Sequence, residues 1–357
     1  MKKLCLITIL FSSILFVSCS KESKDSQAVK ATTETAVEIN SAMLAAFAPL
    51  PKEYISETNP LTLEKIDLGR MLYYDKRLSK NHDISCNTCH NLEMYGVDNK
   101  PTSPGHKGQL GVRNSPTVYN AAGHFAQFWD GREPDVEAQA KGPILNPIEM
   151  GMPDAEYVIT VLKSIPGYAQ YFEKAFPGET DPITYDNVGL TIGAFERKLV
   201  TPSKWDDYLN GNKMALSNAE KEGFNAFVKA GCIACHTGAL LGGTMYQKLG
   251  LVKPWPNNID EGRISVTNAA TDKFLFKVSG LRDITKTGPY LHDGSIVDLE
   301  TLVAMMAEYQ MGQMISESET KAIVSFLDAL TGIIPADYIA EPELPASGPN
   351  TPKPDPS

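Results

Sequence analysis

The chain contains two copies of one short motif, and this repeated motif restricts the fold more than any other sequence feature. The copies are Cys86-Asn87-Thr88-Cys89-His90 and Cys232-Ile233-Ala234-Cys235-His236. Cysteines three residues apart lie on one side of a helical turn, so both sulfurs can form thioethers with one porphyrin. The adjacent histidine can then reach the iron. The sequence therefore predicts two covalently attached c-type hemes, with His90 and His236 as proximal ligands.

A single Cys-x-x-Cys pair is compatible with other chemistry. In an exported chain it can form a disulfide, and elsewhere it can supply half of a zinc site. Here each pair is followed directly by histidine, and Cys89 and Cys232 are much farther apart than the cysteine pairs of a zinc ribbon. We therefore favour two hemes over both alternatives.

The N-terminus has the features of an export signal. Two lysines precede an apolar stretch over 4–17 that is too short to span a full bilayer. Ser18-Cys19 then resembles a lipobox, which predicts a signal peptide over 1–19 and a lipid anchor at Cys19. Ordinary signal cleavage is the alternative. We expect a periplasmic protein that contacts the membrane only through this anchor.

Composition divides the rest of the chain into a tether, two heme domains and a tail. Residues 20–42 are polar and lack aromatic side chains, which predicts a disordered tether. Similar segments accompany each heme motif, so two diverged copies of one module are expected, over 43–203 and 204–335. Residues 336–357 are rich in proline, which cannot continue a helix, so we expect an extended tail.

The recognisable elements between the termini are helical. Two capping boxes and three stretches with apolar residues at helical spacing predict helices at Ser217-x-x-Glu220, Ser316-x-x-Glu319, 63–72, 157–162 and 188–199. No series of alternating strands is apparent in the sequence. The expected fold class is all-α, with two cytochrome c-like domains of short helices, each around one covalently attached heme c.

Longer segments around the motifs carry a more specific signal. In chain order they are Ile84-Ser85-Cys86-Asn87-Thr88-Cys89-His90, Pro101-Thr102-Ser103-Pro104-Gly105-His106, Arg113-Asn114-Ser115-Pro116-Thr117-Val118-Tyr119-Asn120, Ala126-Gln127-Phe128-Trp129-Asp130-Gly131-Arg132, Gly142-Pro143-Ile144-Leu145-Asn146-Pro147-Ile148-Glu149-Met150 and Thr287-Gly288-Pro289-Tyr290-Leu291-His292-Asp293-Gly294-Ser295. In this order and spacing the chain resembles the bacterial diheme cytochrome c peroxidases from about Leu68 to Gln313.

The resemblance implies the ligands of both irons. His90 and His106 would bind the N-terminal, peroxidatic heme, with His106 as a removable distal ligand. His236 and Met306 would bind the C-terminal, electron-accepting heme, and Met305 is the adjacent alternative. A methionine ligand raises a heme potential relative to a second histidine, which suits an electron acceptor.

The resemblance also implies catalytic residues. Glu149 would move a proton between the two peroxide oxygens, and Gln139 would orient the peroxide. Trp129 would lie between the hemes and carry electrons. Each residue has a simpler alternative: Glu149 as a solvated acid, Gln139 as a surface amide and Trp129 as a buried indole.

A calcium site and a gate follow from the same resemblance. Asn114, with the carbonyl groups of Thr287 and Pro289, would bind calcium at the domain junction. Reduction of the C-terminal heme would shift the loop 96–117, so that His106 leaves its iron.

The expected activity is reduction of hydrogen peroxide with electrons from a small redox protein, a cytochrome c or a cupredoxin. The resemblance also implies a homodimer. A formal net charge of −10 fits a basic protein partner and argues against nucleic acid. Two rivals are a diheme electron carrier without catalysis and a diheme oxidase that modifies a partner protein. Met306 weighs against the second rival, because such oxidases replace this distal methionine with tyrosine.

Overall fold

The computed structural model describes residues 36–256 and 259–357. The predicted signal peptide over 1–19, the anchor at Cys19 and residues 20–35 of the tether lie outside the described residues. No helix within the described part of the chain is long and apolar enough to cross a membrane.

Helices dominate the described chain, in agreement with the all-α prediction. Two three-residue strands, β1 (Tyr246–Lys248) and β2 (Leu275–Lys277), pair in antiparallel orientation. The α-helices are α1 (Ser41–Leu44), α2 (Leu63–Tyr74), α3 (Cys86–Cys89), α4 (Val136–Leu145), α5 (Ala155–Lys163), α6 (Pro166–Ala175), α7 (Tyr185–Glu196), α8 (Lys204–Leu209), α9 (Asn218–Lys229), α10 (Ile264–Thr267), α11 (Leu299–Met311), α12 (Glu317–Asp328) and α13 (Ala336–Ile339).

The predicted capping boxes begin two of these helices. Ser217 caps α9 and Ser316 caps α12, and each serine exchanges hydrogen bonds with the glutamate three residues later. Each box satisfies backbone N–H groups that the helix itself leaves unpaired, so local sequence suffices to place the helix start. The helices predicted near 63–72, 157–162 and 188–199 correspond to α2, α5 and α7, although α7 ends at Glu196.

Each half of the chain is built on two helices that cross at a glycine. In the N-terminal half, a Cβ atom on Gly69 of α2 would lie 1.8 Å from the Thr191 carbonyl oxygen of α7. In the C-terminal half, a Cβ atom on Gly223 of α9 would lie 2.0 Å from the Ala322 carbonyl oxygen of α12. Only glycine permits so close an approach. The repeat seen in the heme motifs therefore extends to the helix packing.

Two hydrophobic clusters surround these crossings. The first draws its residues from 66–199 together with Ile339, and the second from 205–330 together with Ile39 and Phe47. The structure differs from the predicted tether over 37–42, because Ile39 is buried and the Val37 N–H donates to Asn218 Oδ1 (3.1 Å). Removal of the Ile39 side chain from water stabilises this end of the tether.

The proline-rich C-terminal segment lies along the N-terminal half. α13 is a helical turn inside the predicted tail, and residues 340–357 contain no further helix or strand. Tyr74 Oη donates to the Ile339 carbonyl (2.6 Å), and Arg77 Nη1 donates to the Pro345 carbonyl (2.8 Å). Because proline has no N–H to donate, the segment is held largely by donors from the surface that it crosses.

Candidate heme centres and active site

The N-terminal heme motif lies on α3, against the first hydrophobic cluster. Ser85 forms a capping box with Thr88, and this box places the two cysteines of α3 one turn apart. His90 follows the helix, and its carbonyl accepts a hydrogen bond from the buried Tyr73 Oη at 2.7 Å. A core helix therefore positions the predicted proximal ligand.

The C-terminal heme motif forms a 3-10 turn over Cys232–Ala234. His236 Nδ1 lies 2.9 Å from the Leu241 carbonyl oxygen. That oxygen can only accept, so Nδ1 carries the proton and Nε2 is available to bind a metal.

One cavity in the C-terminal half brings together the predicted heme-attachment cysteines and the predicted iron ligands. Cys232, Cys235, His236 and Met306 all line it, whereas Met305 packs against the second cluster and does not reach the cavity wall. Neighbouring residues on a helix point about 100° apart, so adjacent methionines of α11 face different surroundings. The geometry favours Met306 over Met305.

The thiols and imidazoles of both motifs fit covalently attached heme. The four cysteines among the described residues are free thiols. Loss of hydration raises the pKa of Cys89 to about 11 and that of Cys232 to about 12, so these thiols are protonated at neutral pH. The same cause lowers the pKa of His90 and of His236, which keeps both imidazoles neutral and able to bind iron.

A second cavity, in the N-terminal half, is lined by His90, Gln139 and Glu149. Gln139 lies on α4, and Glu149 lies in the turn that follows this helix. Asn146 Nδ2 donates to Glu149 Oε1 at 2.8 Å and orients the carboxylate. Burial raises the pKa of Glu149, although the positive charge of Arg132 opposes the shift. The cavity thus holds a carboxyl group that can accept and return a proton.

His106 does not line the cavity that contains His90. Its side chain is 5% exposed, and Nε2 lies 3.2 Å from Ser357 O. Its backbone N–H donates to the Glu149 carbonyl at 2.7 Å. The structure therefore places His106 beside the turn of Glu149 but not in the cavity with His90, and ligation by His106 stays a prediction.

Trp129 stands in the wall between the two cavities, because it lines both of them. Its Nε1 donates to the Asn114 carbonyl at 2.9 Å, which fixes the indole in this wall. The position is compatible with an indole between two hemes.

The predicted calcium residues Asn114, Thr287 and Pro289 all line the C-terminal cavity. Asn114 Nδ2 donates to the Lys100 carbonyl at 2.9 Å, which leaves the amide oxygen as an acceptor. Within residues 36–256 and 259–357, no group of three or more His, Cys, Asp or Glu side chains could hold a metal ion. An amide and carbonyl oxygens without a carboxylate fit a weakly bound hard cation, so calcium binding is still a prediction.

Sequence reasoning missed two buried features of the cavity walls. The first is a contact in which Lys277 Nζ lies 2.7 Å from His124 Nδ1. Both residues line both cavities, and burial lowers the pKa of Lys277 to about 7. Glu196 lines the N-terminal cavity, and burial raises its pKa to about 8. Phe195 and Phe326 pack at the equivalent glycine crossings of the two halves, so the acidic Glu196 corresponds to the apolar Leu327. The contact between Lys277 and His124 joins residues 153 apart in the sequence, so no local sequence pattern indicates it.

Comparison with known proteins identifies the family. Residues 63–214 match the family model described as "Di-haem cytochrome c peroxidase". The chain is 44% identical to the cytochrome c551 peroxidase of Pseudomonas aeruginosa, over 87% of this chain and 90% of that protein. The chain belongs to the di-heme cytochrome c peroxidase family.

Further relatives show the breadth of the di-heme cytochrome c peroxidase family. The cytochrome c551 peroxidase of Nitrosomonas europaea is 44% identical over 86% of this chain and 91% of that protein. The methylamine utilization protein MauG of Methylorubrum extorquens is 33% identical over 90% of this chain and 92% of that protein. A crystal structure of a MauG-like protein associated with microbial copper homeostasis matches with a TM-score of 0.73 and 26% identity, over 82% of this chain and 97% of that one. The resemblance inferred from the motifs is confirmed.

Proposed function

We propose that this chain is a diheme cytochrome c peroxidase that reduces hydrogen peroxide to water with electrons from a small redox protein, a cytochrome c or a cupredoxin. The N-terminal cavity carries the proposal, because Glu149 and Gln139 share it with the heme-motif residue His90. The relatives named cytochrome c551 peroxidase support the same reaction. Each turnover consumes one peroxide, two electrons and two protons and releases two waters.

Glu149 handles the proton within the peroxide. As a carboxylate it takes the proton from one peroxide oxygen and returns it to the departing oxygen, which leaves as water. The hydrogen bond from Asn146 holds the carboxylate in one orientation, and the raised pKa makes the carboxylate a stronger base. Gln139 orients the peroxide through its side-chain amide.

We infer that each hydrophobic cluster encloses one covalently attached heme c, in domains spanning 43–203 and 204–335. When bound, the C-terminal heme supplies a store for incoming electrons, and the N-terminal heme supplies the redox centre that passes electrons to peroxide. His236 and Met306 would hold the first heme, and His90 would hold the second. Trp129, in the wall between the cavities, would assist electron transfer.

The proposal includes a gate at His106. With both hemes bound, His106 would be the removable ligand of the N-terminal heme, and its release would require movement of the loop 96–117 after reduction of the C-terminal heme. Asn114, Thr287 and Pro289 would hold calcium at the domain junction. The hydrogen bond from the His106 N–H to the Glu149 carbonyl couples this loop to the turn that carries the base. Movement of the loop therefore affects ligand release and proton transfer together.

The N-terminal sequence and the family membership bear on the location and assembly of the protein. The N-terminal sequence supports export to the periplasm and a lipid anchor at Cys19. A homodimer is proposed only from membership of the family.

The proposed function is tested by peroxide consumption with an artificial electron donor. Oxidised protein is compared with half-reduced, calcium-loaded protein. Rapid turnover only after half-reduction supports a gated peroxidase, and turnover in both states supports a peroxidase without the gate. If neither state consumes peroxide while both hemes are visible in the absorption spectrum, the proposal is wrong.

The variant His106→Gly is expected to consume peroxide without prior reduction, because glycine has no side chain that can ligate the iron. Turnover by the oxidised variant is measured against oxidised wild type. His82→Gly is the matched control, since His82 lies in another loop of the same half and already has a positive φ of 53° that suits glycine. A His106→Gly variant that still requires reduction would exclude His106 as the gate.

The two rivals make different predictions. A diheme oxidase that modifies a partner protein is expected to carry tyrosine where this chain places Met306 on the cavity wall. A diheme electron carrier without catalysis predicts that Glu149→Ala leaves every measurable activity intact.

A further inference from the structure

Residues 345–357 form a strap over the N-terminal half of the protein. Arg77 Nη1 anchors the start of the strap by donating to Pro345 O (2.8 Å) and to Ser347 Oγ (3.1 Å). Thr351 Oγ1 anchors its middle by donating to the Ser164 carbonyl (3.1 Å). The strap is therefore attached at several points along its length.

Lys80 holds the last residues of the strap. The Asp355 N–H donates to the Lys80 carbonyl (3.0 Å), and Lys80 Nζ lies 3.4 Å from Asp355 Oδ2 and 2.8 Å from Ser357 O. The Lys80 N–H also donates to the Met150 carbonyl (2.9 Å), one residue after Glu149. Lys80 thus joins the strap to the turn that carries the proposed base.

His106 contacts the strap at Ser357 O. Its Nε2 lies 3.2 Å from Ser357 O, which also accepts from Lys80 Nζ. Because this oxygen can only accept, Nε2 carries the proton in the contact. A protonated Nε2 cannot bind a metal, so this contact and iron ligation through the same nitrogen exclude each other.

We propose that Lys80 and residues 353–357 are positioning residues that seat the His106 imidazole outside the heme cavity. The inference rests on the proposed function, in which His106 is a removable distal ligand. The seat competes with the iron for one nitrogen, so loss of the seat shifts His106 toward ligation. One hydrogen bond of ordinary net strength corresponds to roughly a twofold to tenfold shift between the two positions.

The test compares wild type with Lys80→Met and with a chain that lacks residues 353–357, each as the half-reduced diheme protein. Electron paramagnetic resonance reports the ratio of low-spin, histidine-ligated to high-spin ferric N-terminal heme. Both variants should raise this ratio roughly twofold to tenfold. Lys76→Met is the matched control, because Lys76 is an exposed lysine of the neighbouring turn, and it should leave the ratio unchanged. An unchanged ratio in both test variants would overturn the inference.

A His106→Gly background separates positioning from a general structural role. In that background, removal of residues 353–357 should change neither the spin-state ratio nor peroxide turnover. If the deletion lowers turnover equally with and without His106, the strap acts through stability and the inference is wrong. The results distinguish failure of this inference from failure of the proposed function. The expected shift in the spin-state ratio without peroxide turnover contradicts only the proposed peroxidase activity. Peroxide turnover without the shift contradicts only the proposed positioning of His106.

Discussion

Glu149→Gln is expected to lower peroxide turnover by the half-reduced protein roughly 10²–10⁴-fold, the range lost when a general acid–base residue is removed. Glutamine keeps the size of the side chain and an oxygen that can accept from Asn146 Nδ2, so the turn after α4 should keep its shape. It cannot take up and return a proton, and the departing oxygen therefore loses its proton source. The measurement is the steady-state kcat for peroxide at a saturating concentration of donor.

Glu156→Gln is the control for this prediction. Glu156 is an exposed acid in the first turn of α5, away from the cavity residues, and its replacement changes net charge by the same amount. Absorption spectra should show both hemes in each variant. Peroxide turnover at the wild-type rate by Glu149→Gln would exclude Glu149 as the catalytic base. If Glu149→Ala also keeps every activity, the electron-carrier interpretation gains support.

Met306→Ala is expected to lower the reduction potential of the C-terminal heme by on the order of 0.1 V or more, well within the roughly 0.8 V range that axial ligands set. Loss of the thioether removes the ligand that favours the reduced iron. The C-terminal heme then accepts electrons poorly from a protein donor, so peroxide turnover with that donor also falls. Potentiometric titration followed by visible absorption measures the change directly.

Met305→Ala provides a closely matched control, because it removes the same side chain one residue earlier on α11. Both methionines are half-buried and pack against the second cluster, but only Met306 lines the cavity with His236. We expect Met305→Ala to affect stability and to leave the potential near the wild-type value. A large fall in potential in Met305→Ala, with little change in Met306→Ala, would assign the ligand to Met305 instead.

Heme attachment was predictable from the sequence because its chemistry lies within five consecutive residues. Two cysteines and the histidine that follows are positioned by one turn of backbone, so no distant part of the chain is needed to recognise them. The starts of α9 and α12 were predictable for the same reason, since each capping box is complete within four residues.

The remaining site residues required the family resemblance and then the structure. Local spacing does not bring Glu149 to His90, because three 3-10 turns, their connecting loops and α4 lie between them in the sequence. The structure brings both into one cavity with Gln139 and places Trp129 in the wall shared with the C-terminal cavity. It also places His106 elsewhere, which motif order alone could not indicate.

The sequence by itself determined that this chain carries two heme-attachment motifs, that it is mainly helical and that it belongs to the diheme peroxidases. The tertiary structure alone decided which side chains meet. The contact between Lys277 and His124 joins residues 153 apart, and the contact between His106 and Ser357 O joins residues 251 apart. Such contacts arise because the folded chain packs distant segments together to bury apolar surface. Local sequence patterns do not indicate which distant segments become neighbours.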